Sequence, residues 1–306
     1  MPKAAATMSP DPSPLAVLVD ANIYIRRAFH SLPTSIQDSA GRPINAAFGF
    51  GRFLIKLLSD VHPTHAAALF DYSLESSFRR SIYPAYKANR QPPPKELEQQ
   101  FPLCEELGRS LGFAVYQAFE FEADDLIATL SKQISGLGIS VLIASTDKDL
   151  AQLVSGSIRL LDQKCKQTLT NEQMFEQFGV HPHQIPDLLG LIGDPVDNIP
   201  GVTGIGSKTA QRLLSTYHDI ESIYSHLAEV EAAPRDRPVA ARLRRGKEQA
   251  MLSKRLATLR ADIPLQLDLQ DLLWNPLTPQ RERRLAELEL SGVLGVRSTQ
   301  ISLPMK

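Results

Sequence analysis

Three short apolar runs in the first half of the chain are separated by longer amphipathic stretches. The runs cover residues 16–19, 66–70 and 141–144, and each is continuous rather than alternating with polar positions. Continuous runs of this length are typical of strands that are buried on both faces of a parallel sheet. The stretches between them have helical character. The pattern therefore predicts an α/β fold with a doubly wound, mostly parallel sheet.

Acidic residues follow these apolar runs or begin the next predicted helix. In parallel sheets the carboxyl ends of the strands meet at one edge, where ligands bind. One Asp after a strand is usually a turn or helix-capping residue, but repetition favours a site. Clustered carboxylates repel one another, so cations are expected among them, and oxygen ligands without His or Cys favour Mg²⁺ or Mn²⁺. The acids are Asp20, Asp71, Glu122, Asp124, Asp125, Asp147 and Asp149.

Two further acids, Asp194 and Asp197, lie in a Gly- and Pro-containing stretch, residues 193–201. Residues 202–210 follow as a Gly-rich turn that leads into an apolar helix, which is the form of a helix-hairpin-helix. Backbone N–H groups at such a helix start, together with Lys208, can hold a phosphate of a nucleic-acid strand. A nucleotide P-loop is excluded, because its Lys would follow the last Gly directly.

Basic residues dominate two stretches of the chain. Residues 79–95 carry five Lys or Arg, two Tyr and no acid, which suits a single nucleic-acid strand but also a solvated loop. Residues 232–247 carry six Lys or Arg and one acid. We weigh a duplex-phosphate surface and a solvated helix evenly for this second stretch.

Composition agrees with a nucleic-acid enzyme once the acids are set aside. The chain has 306 residues, 43% of them hydrophobic, which is enough for a sizeable α/β domain with a helical annex. Its formal net charge of −1 becomes +8 without the nine acids named above. The two cysteines are too few for a disulfide scaffold, and no apolar run has the length of a membrane span or leader. We expect a cytoplasmic protein that acts at the nucleoid, with no membrane partner.

These motifs, in this order, resemble the bacterial 5′ nuclease family. That family comprises the N-terminal 5′–3′ exonuclease domain of DNA polymerase I, stand-alone relatives and flap endonucleases. The resemblance extends from about Leu15 to about Leu290, almost the whole chain. The segments that carry it are residues 18–20, 70–71, 78–79, 86–90, 122–125, 145–149 and 193–210.

The resemblance implies a PIN-like fold, in which helices flank a twisted, mostly parallel sheet, with a helical arch and a C-terminal helix-hairpin-helix subdomain. Residues 1–14 would be a disordered lead-in, and residues 15–180 the catalytic domain with a basic arch at about 72–100. Residues 181–290 would form the DNA-binding subdomain and C-terminal helices, followed by a tail at 291–306.

The resemblance also implies roles for individual residues. Nine acids would bind two Mg²⁺ ions, which Mn²⁺ can replace, and K⁺ is a further candidate at the carbonyls of the helix-hairpin-helix. One ion would belong mainly to Asp20, Asp71, Glu122, Asp124 and Asp125, and the other to Asp147, Asp149, Asp194 and Asp197. Lys87 and Arg90 would act on the reacting phosphate beside Asp124, and Tyr86 would stack on a base. The expected DNA contacts are Arg79, Arg80, Tyr86, Lys87, Arg90, Gly204, Gly206, Ser207, Lys208 and Thr209.

The function implied is that of a structure-selective 5′–3′ exonuclease and 5′-flap endonuclease in replication and repair. It would hydrolyse DNA and RNA-primer phosphodiester bonds by a two-metal mechanism, as a monomer that works alongside a DNA polymerase. One alternative is a flap-binding protein without turnover, which would be indifferent to Asp124→Asn. A second is a PIN-like ribonuclease, but such proteins are usually shorter and lack a helix-hairpin-helix.

Overall fold

A six-stranded sheet forms the centre of the computed structural model, which describes residues 13–162 and 167–294. The strand order is β3-β2-β1-β4-β5-β6, and every neighbouring pair is parallel except β5 and β6. The predicted lead-in, apart from residues 13 and 14, and tail residues 295–306 lie outside the described residues. The strands are β1 (Leu15–Asp20), β2 (His65–Asp71), β3 (Ala114–Ala118), β4 (Ser140–Ala144), β5 (Ile158–Asp162) and β6 (Gln167–Leu169).

The predicted parallel sheet is confirmed, and its burial explains the continuous apolar runs. Successive side chains of a strand point to opposite faces of a sheet. Leu18 and Leu69 accordingly join a core on one face, whereas Val19 and Phe70 join a second core on the other. Because both faces of β1 and β2 are covered, neither strand has a polar alternation.

The helices pack on both faces of the sheet and form the C-terminal part of the chain. Short 3₁₀ turns lie at Asp149–Leu153, Pro182–Gln184 and Ser291–Leu294. Among the described residues, no helix combines the length and apolar character needed to cross a membrane. The helices are α1 (Ala21–Ser31), α2 (Asn45–Val61), α3 (Phe78–Ile82), α4 (Lys95–Glu98), α5 (Phe101–Ser110), α6 (Ala123–Gly136), α7 (Asn171–Phe178), α8 (Ile185–Ile192), α9 (Ser207–Tyr217), α10 (Ile220–Ser225), α11 (Leu227–Ala232), α12 (Arg237–Arg245), α13 (Lys247–Ala257), α14 (Leu269–Leu272) and α15 (Pro279–Glu287).

Helices α8 and α9 flank the loop and hairpin predicted from the Gly-rich stretch. Asp194 and Ile199 exchange two backbone hydrogen bonds of 2.9 and 2.8 Å, which close the loop that carries the two acids. At the base of this loop Gly193 and Gly201 have φ values of +75° and +62°. A Cβ at Gly201 would lie 2.3 Å from the nitrogen of Gly193, so the close approach requires glycine.

The segment predicted as a helical arch, residues 72–100, contains two short helices joined by turns. These are α3 and α4, and residues 83–94 between them are not helical. The turns lie against the loop after α8, because Asn198 donates to the carbonyl of Ala85 at 2.6 Å and Asn89 donates to that of Pro195 at 2.9 Å. The segment therefore joins the sheet domain to the helix-hairpin-helix.

Candidate functional site

The acids at the ends of β1 and β2 are held by neighbouring polar groups. Asp20 is the last residue of β1, and the hydroxyl of Ser145 donates to its Oδ2 at 2.8 Å. Asp71 ends β2 and accepts two hydrogen bonds, from Nδ2 of Asn22 at 2.9 Å and from the backbone N–H of Ala123 at 2.8 Å. The second donor belongs to the first turn of α6, where the helix dipole favours an anion.

The acids after β4 are arranged by a series of tight turns. The backbone N–H of Asp147 donates to the hydroxyl of Ser145 at 3.0 Å, and that of Asp149 donates to Oδ1 of Asp147 at 2.9 Å. These bonds direct Asp149 toward the loop between α8 and α9. One carboxylate oxygen from each of Asp149, Asp194 and Asp197 lies within 4.8 Å of the others. The loop of the helix-hairpin-helix thus completes a site that begins at the strand ends.

The carboxylates of this cluster are difficult to ionise together. Burial, and then the charges of Asp71 and Asp147, raise the pKa of Asp20 to about 7. Burial, and then Asp147 and Asp197, raise the pKa of Asp149 to about 8. Burial, and then the charges of Asp147 and Asp20, also raise the pKa of Asp124 well above its ordinary value. Buried like charges of this kind need a cation for stability.

The donor set fits a hard divalent cation. Its members offer carboxylate oxygens, which are the ligands that Mg²⁺, Mn²⁺ and Ca²⁺ prefer. Oδ1 of Asp149 is buried and has no hydrogen-bond partner among the residues that the structure describes. A buried oxygen without a partner is costly unless a ligand satisfies it. The cluster can therefore hold divalent metal at Asp149, Asp194 and Asp197.

Basic residues of the arch segment neutralise part of the cluster. Nζ of Lys87 contacts Oε2 of Glu122 and lies 3.6 Å from Oδ2 of Asp197, while Arg90 pairs with Oδ1 of Asp197. Burial raises the pKa of Glu122, but Lys87 and then Arg79 outweigh it and bring that pKa to about 2. Lys87 has a φ of +53°, and its N–H donates to the carbonyl of Asp197 at 2.9 Å. Strained backbone of this type is frequent at functional sites.

The positions of Arg79 and Asp125 differ from the roles predicted for them. Arg79 was predicted to contact DNA, yet the residue is only 2% exposed. Its guanidinium donates to both carboxylate oxygens of Asp125 at 2.6 and 2.7 Å, and also to the carbonyl of Leu256 at 2.8 Å. Asp125 was predicted as a metal ligand, but it is fully buried and also accepts the N–H of Arg260. This pair fastens α3 to α6 and to the end of α13, and it leaves no face for metal or DNA.

Tyr86 also differs from its prediction. The expectation was a ring that stacks on a base, but Tyr86 is 3% exposed and belongs to the core on one face of the sheet. Its hydroxyl lies 3.2 Å from Oδ2 of Asp197, and Nζ of Lys87 lies 4.9 Å from the centre of its ring. The ring therefore supports the ammonium of Lys87 by packing and a cation–π contact.

Apart from Lys87, which is buried, the other predicted DNA contacts lie at or near the surface. Arg80 is half-buried on α3, and the side chain of Arg90 is 42% exposed. Gly206 caps the start of α9, and Lys208 is exposed in its first turn. Nη1 of Arg242 donates to the carbonyl of Gly204 at 3.1 Å, which ties the second basic stretch to the hairpin. Gly204 and Ser207 are exposed, and Thr209 is half-buried.

Three positioning residues were missed by the sequence reasoning. Asn22 orients Asp71, the hydroxyl of Ser77 donates to Glu122 at 2.7 Å, and Nζ of Lys148 lies 3.1 Å from Oδ1 of Asp194. The position of Lys148 between two predicted ligands was a usable signal. No comparable sequence signal marks Asn22 or Ser77, because their partners are distant in sequence.

Two family models match the chain in sequence order. The one described as 5′-3′ exonuclease, N-terminal resolvase-like domain matches residues 15–179, and the one described as 5′-3′ exonuclease, C-terminal SAM fold matches residues 180–280. A 5′-3′ exonuclease of Aquifex aeolicus is 35% identical over 90% of this chain and 93% of that protein. DNA polymerase I of Rhizobium leguminosarum is 41% identical over 85% of this chain, which spans only 26% of that polymerase.

Solved structures share the fold. A T5 5′-exonuclease with bound zinc ions has a TM-score of 0.66 at 23% identity, covering 80% of this chain and 90% of that one. The catalytic core of Rad2 in complex with DNA substrate has a TM-score of 0.58 at 12% identity, covering 90% and 92%. These similarities confirm the predicted fold class. Because the two family models together span residues 15–280, the chain belongs to the 5′-3′ exonuclease family.

Proposed function

We propose that this protein is a structure-selective 5′–3′ exonuclease and 5′-flap endonuclease that cuts DNA and RNA primers in replication and repair. The observation that supports it best is that acids from two parts of the chain lie together at one place. Asp149 from the sheet domain and Asp194 and Asp197 from the helix-hairpin-helix share a candidate metal site. A metal centre joined to a duplex-binding motif suits an enzyme that cuts next to a duplex.

Two Mg²⁺ ions, for which Mn²⁺ is expected to substitute, are proposed as the cofactors. When bound, they would supply an acidified water and neutralise charge on the phosphate and on the leaving oxygen. The chain would hold them with carboxylates and keep Lys87 and Arg90 close to the scissile phosphate. The proposed ligands are Asp20, Asp71, Glu122, Asp124, Asp147, Asp149, Asp194 and Asp197.

The DNA would be held by its phosphates rather than read by its bases. We assign the duplex to the start of α9, where helix dipole and Lys208 favour a phosphate. K⁺ bound by the carbonyls of residues 202–205 is part of this proposal. The division into a catalytic domain at 15–180 and a DNA-binding part at 181–290 follows from it. Arg80, Arg90 and the exposed hairpin residues would provide the other contacts.

The substrates, the polymerase partnership and the location are proposed on the same basis. The substrates would be DNAs with 5′ flaps, 5′ ends or junctions between single and double strands. Several relatives are named DNA polymerase I, so we propose that a polymerase produces the flaps that this protein removes. We propose a monomer in the cytoplasm, at the nucleoid.

The test is cleavage of a 5′-flap DNA labelled at its 5′ end, with Mg²⁺ or with EDTA. We expect native protein with Mg²⁺ to release a flap-sized fragment, and Asp124→Asn to release none. Asp60→Asn is the matched control, because that carboxylate is 56% exposed and pairs only with Lys56 among the described residues. Tight binding of the flap without product in either Mg²⁺ or Mn²⁺ would contradict the proposal and favour a recognition protein.

A further inference from the structure

Two aromatic side chains lie exposed just after the carboxyl ends of β2 and β3, at the sheet edge that carries Asp71. Tyr72 is 55% exposed and Phe119 is 63% exposed, and their ring centres are 5.3 Å apart with an angle of 62° between the rings. Single exposed apolar residues are normal on protein surfaces. A contacting pair with more than half of each residue open to solvent is a different feature, because both ring systems remain accessible to a planar ligand.

The strand register brings the pair together. β2 and β3 are parallel neighbours, and Asp71 pairs with Ala118 at their carboxyl ends. Tyr72 and Phe119 are therefore the next residues of two adjacent chains, which run about 4.8 Å apart in a sheet. Their proximity follows from the backbone and does not depend on contact between the rings.

Hydrogen bonds beyond the strand ends hold this backbone in place. The hydroxyl of Ser76 donates to the carbonyl of Phe119, and the N–H of Phe78 donates to the carbonyl of Glu120 at 3.0 Å. Both bonds join the chain after β2 to the chain after β3. The rings are thus presented from a fixed scaffold, which lowers the entropy lost when a ligand binds.

The position of the pair identifies its ligand. Tyr72 directly follows Asp71, and Phe119 precedes Glu122 by three residues, so the pair adjoins the carboxylates that would bind metal. A nucleic-acid strand whose phosphate lies at those carboxylates carries a base on the adjoining nucleotide. Aromatic side chains stack on unpaired bases of any sequence, because every base has a π-face. A base within a duplex is already stacked and does not offer that face.

We propose that Tyr72 and Phe119 form a stacking platform for an unpaired base of the 5′ single strand. The platform would fix the position of the strand relative to the metals and so help to choose the bond that is cut. This inference rests on the proposed nuclease function but adds a subsite to it. A protein partner on the same rings is the competing occupant, and the experiment below separates the two.

The test combines protein variants with abasic flaps. A 5′-flap DNA is prepared with one abasic nucleotide at each flap position in turn. KM and kcat are measured in Mg²⁺, and Kd is measured by fluorescence anisotropy in Ca²⁺. We expect one or two abasic positions to raise KM and Kd of native protein about tenfold, with little change in kcat. The Tyr72→Ala/Phe119→Ala protein should bind the intact flap about tenfold more weakly and show no further loss with any abasic flap.

Two controls accompany the double variant. Tyr72→Phe/Phe119→Tyr keeps both rings and should retain the abasic profile of native protein. Phe175→Ala removes an aromatic residue that is 45% exposed on α7, and it should leave the profile unchanged. The three residues replaced in these variants are all exposed, so thermal unfolding should confirm native folds.

The outcomes separate this inference from the proposed function. A flat abasic profile for native protein that still cleaves in Mg²⁺ would overturn the platform and leave the nuclease proposal intact. Equal losses of affinity for abasic flaps in native and double-alanine proteins would also overturn it. Unchanged affinity of the double-alanine protein for the intact flap would overturn it too, and that result is the one expected if the rings instead dock a protein partner. An abasic effect on Kd without any cleavage would instead support the platform and contradict the nuclease.

Discussion

Asparagine in place of Asp149 is expected to stabilise the metal-free protein. Burial, followed by the charges of Asp147 and Asp197, raises the pKa of Asp149 to about 8. One of its carboxylate oxygens also has no hydrogen-bond partner among the described residues. Asparagine has nearly the same shape without the charge, so it removes the repulsion while it fills the same space.

The size and sign of the effect follow from the difference between the folded and ordinary pKa values, about 8 and 3.8. Because the pKa of Asp149 is higher in the folded protein than in the unfolded chain, its protonated carboxyl contributes stability. That contribution is fully present below about pH 4 and is lost as the pH rises to 8. One pKa unit corresponds to about 1.4 kcal/mol, so the loss reaches about 5 kcal/mol, as an order of magnitude, at pH 8. At roughly 2 °C per kcal/mol, the variant should unfold about 10 °C above native protein there.

The assay is thermal unfolding in EDTA at pH 4, 6, 8 and 9, repeated with Mg²⁺. The advantage of Asp149→Asn should be near zero at pH 4, grow to pH 8 and then level off. Mg²⁺ should raise the Tm of native protein more than that of the variant, because ligand binding to the folded state adds stability. Asp60→Asn is the control and should show neither effect. An advantage that is independent of pH, or an equal response to Mg²⁺, would refute the assignment of Asp149 to the metal cluster.

Three further predictions concern the basic residues. Lys87→Ala should lower the single-turnover cleavage rate by about 10²-fold or more while flap affinity changes less, and an unchanged rate would remove Lys87 from the reaction. Arg79→Met should cost about 3–5 kcal/mol in urea unfolding, because it leaves the buried carboxylate of Asp125 without its partner, and Asp125→Leu in the same protein should recover most of the loss. Lys208→Ala should weaken duplex binding and reduce the slope of log K against log salt by about 1, whereas an unaltered slope would mean that Lys208 contacts no phosphate.

The parts of the fold that the sequence predicted are those with local physical signals. β1, β2 and β4 are covered on both faces, so they appear as continuous apolar runs. β3 is only partly buried and gives no such run. The acids after the strands were predictable as a cluster because parallel strands end at one edge. The glycines of the hairpin were predictable because the loop after α8 closes on itself at Gly193 and Gly201.

The errors fall on residues whose partners are distant in sequence. Arg79 is one of five basic residues in its stretch, and composition alone does not distinguish those that contact a phosphate from those that form buried ion pairs. Asp125, its partner, lies 46 positions further along the chain, and the carbonyl of Leu256 lies 177 positions away. Tyr86 is covered for the same reason, because its neighbours include Asp197 at a separation of 111. Charge and aromatic content predicted a surface, but tertiary contacts decided which side chains remain on it.

The ion pairs of Lys87 suggest how the acidic site is kept stable before metal binds. Glu122 and Asp197 are both less than a tenth exposed, and Lys87 with Arg90 supplies the cations that buried carboxylates need. Divalent ions at the same carboxylates would take over this neutralisation and weaken the hold on the ammonium of Lys87. Under the proposed function, the ammonium of Lys87 would then be free to contact a phosphate of the substrate. The negative charge of that phosphate would take the place of the carboxylate charge that the metal ions neutralise. Under the proposed function, one side chain would balance the cluster in the metal-free protein and the substrate in the loaded one, which would explain why Lys87 is buried among acids and not directed into solvent.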